Sequence, residues 1–179
     1  MHDAPSMAAG YNRAMRESDA KYKIYLHQDV WIIEPSFLVR LTHIFSCNPQ
    51  AGIAGVVGSR NVPPSGIWWE GELIGGVIDS QTGTLQANLH QQQAYMHRPV
   101  QVMLLDGLIL ATQYDLTWRE DLFDKWHFYD VSQCMEFYRR KLAALVLPQS
   151  CPWCIHWCGL NPRIGFEEER KKFVMEYLQ

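Results

Sequence analysis

The chain has 179 residues, 47% of them apolar and 20% charged, which is enough apolar material for a core and excludes a disordered chain. Sixteen Lys and Arg against nineteen Asp and Glu give a net charge of −3 without a dense basic run, so a nucleic-acid partner is not expected. The longest apolar run, residues 102–111, is too short to span a bilayer, and the N-terminus lacks a signal-peptide pattern. We expect a single domain over residues 1–179, located in the cytoplasm.

Helical and strand patterns alternate along the chain. Apolar residues with a period near 3.6, bounded by proline or capping residues, predict helices, and short β-branched or alternating runs predict strands. In chain order they predict a helix from Pro5 to Met15, a strand over Tyr22–Leu26, a helix from Pro35 to Asn48, a strand over Ile53–Val57, a helix from Asp130 or Ser132 to Lys141, a strand over Ala143–Leu147 and a helix over Gly165–Gln179. This alternation predicts an α/β fold with a mixed, mostly parallel sheet flanked by helices.

Two segments do not fit a simple element. Residues 58–98 are rich in Gly, Pro and Gln, so they predict a long irregular segment of the kind that is often functional. Residues 99–112 contain two apolar runs separated by Asp106-Gly107. That dipeptide fits a tight hairpin, and it equally fits a strand that bends past a ligand site.

Ligands of α/β sheets collect at the carboxyl ends of strands, which draws attention to Asp29, Asp106 and the segment after Leu147. A carboxylate such as Asp29 at the end of a buried strand suits a divalent ion that bridges phosphates. Alternatively, Asp29 caps the following helix or closes a turn. Asp130, near the start of a helix, can take a proton from a hydroxyl group, or it is an ordinary N-cap.

The five cysteines are an odd number, so a disulfide framework is not expected. Cys47 and Cys134 are predicted to be small core residues. Cys151, Cys154 and Cys158 flank His156 and leave three interpretations: a zinc site, a redox pair, or reduced cysteines packed around a useful histidine, which we favour. Several of the seven tryptophans lie beside these polar candidates, which suits a pocket for a sugar or a base.

Taken together, these clusters resemble the family 2-like glycosyltransferases of the glycosyltransferase-A fold, in the branch typified by the streptomycin-biosynthesis protein F type. The resemblance covers most of the chain in the family's order. It is carried by Ala4–Asn12, His27-Gln28-Asp29-Val30, Val102–Asp106 with Gly107, Phe123-Asp124, Trp126–Asp130 and Trp153–His156.

The resemblance implies a hexosyltransferase-like activity, in which a sugar passes with inversion from a nucleotide-diphosphate donor to an acceptor hydroxyl. It implies a Mn²⁺ or Mg²⁺ ion on the donor diphosphate. Asp29 matches the last acidic position of the family's metal motif, His27 replaces the first, and His156 matches a late histidine that completes the site. Asp130 matches the acceptor-activating base. The donor-sugar pocket is implied to include Asn12, Asp29, Asp106, Gly107 and Trp126.

Family members normally begin with a strand, a helix and a second strand that hold the nucleobase, and the resemblance starts after them. We therefore expect an N-terminally truncated fold in which Tyr22–Leu26 is an edge strand. An unpaired edge tends to pair with another chain, so a homodimer or larger homo-oligomer is predicted. The alternative to an enzyme is a non-catalytic scaffold of the same fold that binds sugar or nucleotide.

Overall fold

A computed structural model describes residues 3–80, 83–90, 97–159 and 163–179. These residues form α1 (Met7–Arg16), α2 (Phe37–Cys47), α3 (Tyr129–Arg139), α4 (Phe166–Tyr177) and a short 3-10 helix (Trp68–Glu70). The four predicted helices are confirmed, with ends that differ by a few residues. The start of α1 is set by Ser6, whose hydroxyl accepts a hydrogen bond from the Ala9 amide and so satisfies one of the unpaired N–H groups of the first turn.

The strands form two sheets. They are β1 (Lys23–Leu26), β2 (Val30–Ile32), β3 (Ala51–Gly55), β4 (Val57–Ser59), β5 (Leu73–Asp79), β6 (Gln86–His90), β7 (Val100–Val102), β8 (Leu104–Leu105), β9 (Ile109–Thr112), β10 (Ala143–Val146) and β11 (Cys154–His156). One sheet has the order β1-β9-β3-β10-β7, and the other has the order β2-β11-β5-β4-β8 with β6 paired to β5.

The expectation of a mostly parallel sheet is wrong. Among the described strands, only the pairs β10–β3 and β11–β5 are parallel, and the other pairings are antiparallel. Parallel neighbours need a long crossover, usually a helix. The described part of the chain from β3 to β9 has no α-helix between its strands. Both sheets are therefore mixed, within an α/β architecture.

Residues 58–98 are more regular than predicted, because they contain the 3-10 helix, β5 and β6. The glycines that suggested an irregular segment mark close backbone contact instead. Gly75 has a φ of +88°, and a Cβ there would lie 2.1 Å from the carbonyl oxygen of Val56. A side chain at this position would separate β5 from the neighbouring chain. Residues 81–82 and 91–96 of the segment lie outside the described part of the chain.

The Asp106-Gly107 dipeptide does not form a hairpin. β8 before it pairs with β4 in one sheet, whereas β9 after it pairs with β1 and β3 in the other. The alternative, a strand that bends at this dipeptide and continues as another strand, is therefore confirmed. The short strands β2 and β11 were not predicted, and they pair antiparallel with each other.

β1 lies at the end of its sheet and pairs only with β9 among the described strands. Ile24 and Leu26 on this strand are exposed. The side chain of Lys23 on the same strand is buried, and its Nζ lies 2.7 Å from Oδ1 of Asp115. None of the helices in the described residues is long and apolar enough to cross a membrane.

Candidate functional site

A cleft with a volume of about 860 Å³ opens between strand ends of both sheets and the N-terminus of α3. Its lining includes the residue after β1, the last residues of β5 and β11, and the first residues of α3. The bend between β8 and β9 also contributes to the lining. Those used below are His27, Asp79, Asn88, Asp106, Trp126, Tyr129, Asp130, His156 and Arg163. The fold therefore collects strand ends at one place, as the sequence predicted, although most neighbouring strands are antiparallel.

Three side chains in or beside this cleft form a group able to hold a metal ion. Potential ligand atoms of His27, Asp29 and His156 all lie within 4.8 Å of one another. His156 ends β11 and is in register with Val30 of β2, which places it beside Asp29. Its Nε2 lies 3.4 Å from Oδ1 of Asp29. The antiparallel β2–β11 pair thus joins two residues that are far apart in the sequence.

The surroundings favour the neutral form of both histidines. Burial, the largest cause, and the neighbouring His156 together lower the pKa of His27 to about 4, against the opposing charge of Asp29. Burial also lowers the pKa of His156, against the opposing charge of Asp29. A histidine must be neutral to ligate a metal, so the environment favours the ligating form at neutral pH.

The donor set fits a divalent cation. Ligand atoms about 2.0–2.3 Å from one ion lie within roughly 4.6 Å of each other, close to the spacing within the group. Two imidazoles and one carboxylate favour Mn²⁺ over Mg²⁺, because Mg²⁺ prefers oxygen ligands. Of the described residues, His27, Asp29 and His156 would hold the ion.

Tyr129 connects this group to α3. Its hydroxyl lies 2.5 Å from Nε2 of His27. The same hydroxyl packs against the backbone of Gly107, where a Cβ would lie only 2.0 Å from Oη of Tyr129. The glycine of the Asp106-Gly107 bend is therefore required for the close approach of this buried tyrosine.

Asp130 lies inside the first turn of α3 and is not its N-cap, because Phe128 occupies that position with a φ of 59°. Its Oδ2 accepts a hydrogen bond of 2.9 Å from the Gly107 amide, and its Oδ1 accepts one of 2.8 Å from the Val131 amide. Burial raises its pKa to about 6, against the opposing effect of these two amides. The carboxylate is thus fixed in orientation and has a pKa near the working pH of a general base.

Asp106 is the second carboxyl at this end of the cleft. Burial, the largest cause, and the nearby charge of Asp130 together raise its pKa to about 7. Its Oδ1 accepts a hydrogen bond of 3.0 Å from the Leu108 amide, which opposes the shift. Two buried carboxyls in one site disfavour double ionisation, as expected for like charges close together.

The structure adds residues that sequence reasoning missed. Asp79 ends β5, is in register with His156, and accepts a hydrogen bond of 2.6 Å from Nδ2 of Asn88 on β6. The tendency of ligands to collect at strand ends applies to Asp79 as well, but the glycine content of residues 58–98 predicts an irregular segment instead of a strand there. Arg163 and Phe166, before and at the start of α4, also line the cleft. No local pattern marked either of them.

The remaining predicted site residues lie in different places. Trp126 lines the cleft and is half exposed. Asn12 is fully buried, and its side-chain amide exchanges two hydrogen bonds with the Trp118 backbone, of 2.9 and 2.8 Å. In this structure Asn12 therefore ties α1 to the segment before α3.

All five cysteines are free. Cys134 is buried as predicted, but the prediction for Cys47 is wrong, because it is exposed on α2, 3.9 Å from the His43 ring. Cys151 is exposed and Cys154 is buried in β11, where burial raises its thiol pKa to about 12. The metal-capable group found among the described residues contains no cysteine. Cys134 and Cys154 are therefore packed, reduced thiols, whereas Cys47 and Cys151 are reduced but exposed.

Comparison with known proteins gives one clear result. A model described as a glycosyltransferase-like family matches residues 1–177, nearly the whole chain. A search of curated proteins finds no match.

Proposed function

Because the chain belongs to the glycosyltransferase-like family, we propose that it transfers a sugar from a nucleotide-diphosphate donor to an acceptor hydroxyl, with inversion at the sugar and with metal assistance. The observation that supports this is the position of Asp130 in the same cleft as His27 and His156. Tyr129 joins the two, since it precedes Asp130 and contacts His27.

The donor diphosphate binds at the end of the cleft that carries His27, Asp29 and His156. Four carboxyls lie in or beside the cleft, whereas Arg163 is the one Lys or Arg among its described lining residues. A diphosphate placed there without a cation would meet net repulsion. When bound to the three residues, Mn²⁺ supplies positive charge that stabilises the leaving nucleoside diphosphate.

The acceptor hydroxyl binds at Asp130. As the acceptor oxygen forms a bond to the anomeric carbon, its proton passes to the carboxylate of Asp130. The bond from that carbon to the diphosphate oxygen breaks, and the diphosphate leaves with the electron pair. A single displacement from the opposite face inverts the anomeric centre. The amides of Gly107 and Val131 hold the carboxylate in one orientation, which reduces the entropy cost of the step.

The metal and donor sites are tested by calorimetry with nucleoside diphosphates in the presence of Mn²⁺, Mg²⁺, Zn²⁺ or EDTA. We expect binding that depends on the metal, is strongest with Mn²⁺ and is lost in Asp29→Asn. Asp19→Asn, at an exposed position, is the matched control and should bind as the wild type does. Absence of metal-dependent binding at millimolar nucleotide contradicts the donor site. Binding without release of nucleoside diphosphate from any sugar donor supports the non-catalytic scaffold instead.

A homodimer through the β1 edge is part of the proposal. It is supported by the edge position of β1, which has no strand on its outer side among the described residues, and by the exposed apolar side chains of Ile24 and Leu26.

A further inference from the structure

The outer part of the cleft is unusually aromatic. Trp69, Trp126, His127 and Phe166 line it together, and we call these four residues the aromatic rim. Trp126 is 53% exposed although it lies in a cleft. Exposed indole surface costs hydrophobic free energy unless something covers it, so a cleft tryptophan of this kind indicates a ligand with an apolar face.

Three of the four rim residues, Trp69, His127 and Phe166, are held by ring contacts with one another. The Phe166 ring centroid lies 5.5 Å from that of Trp69 and 5.4 Å from that of His127. The Arg163 guanidinium lies over the Trp69 ring at 5.1 Å and covers one of its faces. Trp126 is the most exposed of the four rim residues, at 53% against 38% for Trp69, so its indole is the most open surface of the rim.

The chain path places the rim next to the candidate base. His127 and Phe128 contact Phe166, with Phe128 at a ring distance of 5.0 Å. Tyr129, the next residue, contacts His27 of the metal-capable group. The four consecutive residues 126–129 thus lead from the rim to the metal end of the cleft, and Asp130, the next residue, lines the same cleft.

We propose that the aromatic rim is the acceptor subsite and that it takes a saccharide, whose ring stacks on Trp126 and presents a hydroxyl to Asp130. This rests on the proposed transferase function. It moves Trp126 from the donor pocket, where the family resemblance put it, to the acceptor side. The donor then occupies the metal end, and a cleft of about 860 Å³ lies near the upper end of the ~300–1,000 Å³ range of small-molecule sites, which leaves room for two ring ligands.

The chemistry of the rim favours a saccharide over a lipid chain or a peptide. A lipid chain needs a continuous apolar channel, but the guanidinium of Arg163 and the imidazole of His127 interrupt the apolar surface here. A pyranose ring has apolar C–H faces and polar edges, which match an open indole beside hydrogen-bond donors. A peptide strand would need an exposed sheet edge for backbone pairing, whereas the rim consists of side chains.

The experiment measures binding of simple methyl glycosides, those of glucose, N-acetylglucosamine and glucuronic acid, by saturation-transfer NMR at about 10 mM, a concentration suited to millimolar dissociation constants. EDTA is present, so no metal is needed. We expect saturation of ring protons of at least one glycoside in the wild type. Trp126→Ala should reduce the signal at least ~5-fold and Trp126→Phe should retain most of it, because stacking is worth on the order of 1 kcal/mol. Trp31→Ala, at an equally exposed tryptophan outside the cleft, should leave it unchanged.

Three results would overturn the subsite: no glycoside binds, Trp126→Ala binds as the wild type does, or a nucleoside diphosphate with Mn²⁺ displaces the glycoside. A fourth result would also overturn the saccharide subsite. In it, no glycoside binds, but a detergent micelle or an unstructured peptide binds to the wild type and not to Trp126→Ala, which would assign the rim to that ligand. Calorimetry of nucleotide with Mn²⁺ on EDTA-free samples of the same proteins separates this test from that of the proposed function. Glycoside binding without nucleotide binding keeps the saccharide subsite and contradicts the transferase.

Discussion

The hydroxyl of Tyr129 lies 2.5 Å from Nε2 of His27, and this contact joins the helix that carries Asp130 to the metal-capable group. When Nδ1 of His27 ligates a metal, Nε2 carries the proton and donates it to the tyrosine oxygen. The contact with Tyr129 therefore orients the His27 ring and supports this tautomer. Partners of this kind orient metal ligands in many proteins.

Tyr129→Phe should weaken Mn²⁺ binding by roughly 10- to 100-fold, the usual effect of removing such a partner, while the fold is retained. Electron paramagnetic resonance titration with Mn²⁺ measures this directly. Tyr114→Phe removes a hydroxyl whose hydrogen bond of 2.7 Å goes to Pro49, outside the cleft, and is the matched control. Equal Mn²⁺ affinity of the two variants would show that Tyr129 does not position His27.

Asp130→Asn should lower the turnover number by at least ~10²-fold, the scale of general-base catalysis. The Asn oxygen still accepts from one of the amides of Gly107 and Val131, so the fold and the nucleotide affinity should change little. Steady-state kinetics and nucleotide calorimetry on the same variant test both parts. Asp124→Asn, an aspartate that binds Lys172 outside the cleft lining, is the control. If nucleotide affinity and turnover fall together, Asp130 has a structural role instead.

The turnover number should also depend on pH through Asp130. Because burial raises its pKa to about 6, the carboxylate form needed for proton abstraction increases as the pH rises through about 6. A plot of turnover number against pH should therefore rise across this range and then level off. A profile that is flat between pH 5 and 8 would contradict Asp130 as the base.

Stability should decrease as the pH rises through the range set by Asp106. Its pKa is raised from 3.8 to about 7, so the folded state binds this proton more tightly than the unfolded chain. The stabilisation from this proton is fully present below pH 3.8 and is lost as the pH rises to about 7, with a size on the order of 4 kcal/mol. Asp106→Asn removes the titration and can still accept from the Leu108 amide. Denaturant unfolding of both proteins between pH 4 and 8 should show the variant gaining relative stability with pH.

Asp121→Asn provides a control of opposite sign. The hydrogen bond from Arg119 lowers the pKa of Asp121. The ionised Asp121 therefore stabilises the folded state above the ordinary pKa of an aspartate, and this stabilisation is lost as the pH falls. This variant should lose, not gain, relative stability as the pH rises from acid. If Asp106→Asn behaves like Asp121→Asn, Asp106 is not held protonated by burial.

Ile24→Lys should shift the protein towards monomers, because it places a charge on the unpaired edge of β1. Light scattering over a dilution series measures the mass of both proteins. Met175→Lys, at an exposed apolar residue of α4, should leave the mass unchanged. A wild-type protein that is monomeric at every concentration would contradict the predicted dimer.

Local patterns in the sequence were sufficient for the helices and for most of the candidate chemistry. Ser6 before α1 and the apolar period of α2 are properties of a few neighbouring residues, so they can be recognised without the fold. Asp29 and Asp130 were found because each lies next to a predicted element end. The resemblance to glycosyltransferases used the same local clusters, and the family match over residues 1–177 confirms it.

Strand direction was decided only by the tertiary structure, because pairing partners such as β9 with β1 and β3 are distant in sequence and leave no local pattern. For the same reason the sequence did not show that β11 would place His156 beside Asp29, or that Asp79 would end a strand in register with His156. Burial decided the electrostatics. Asp106 and Asp130 are ordinary aspartates in the sequence, and their raised pKa values come from the low-dielectric surroundings that packing creates.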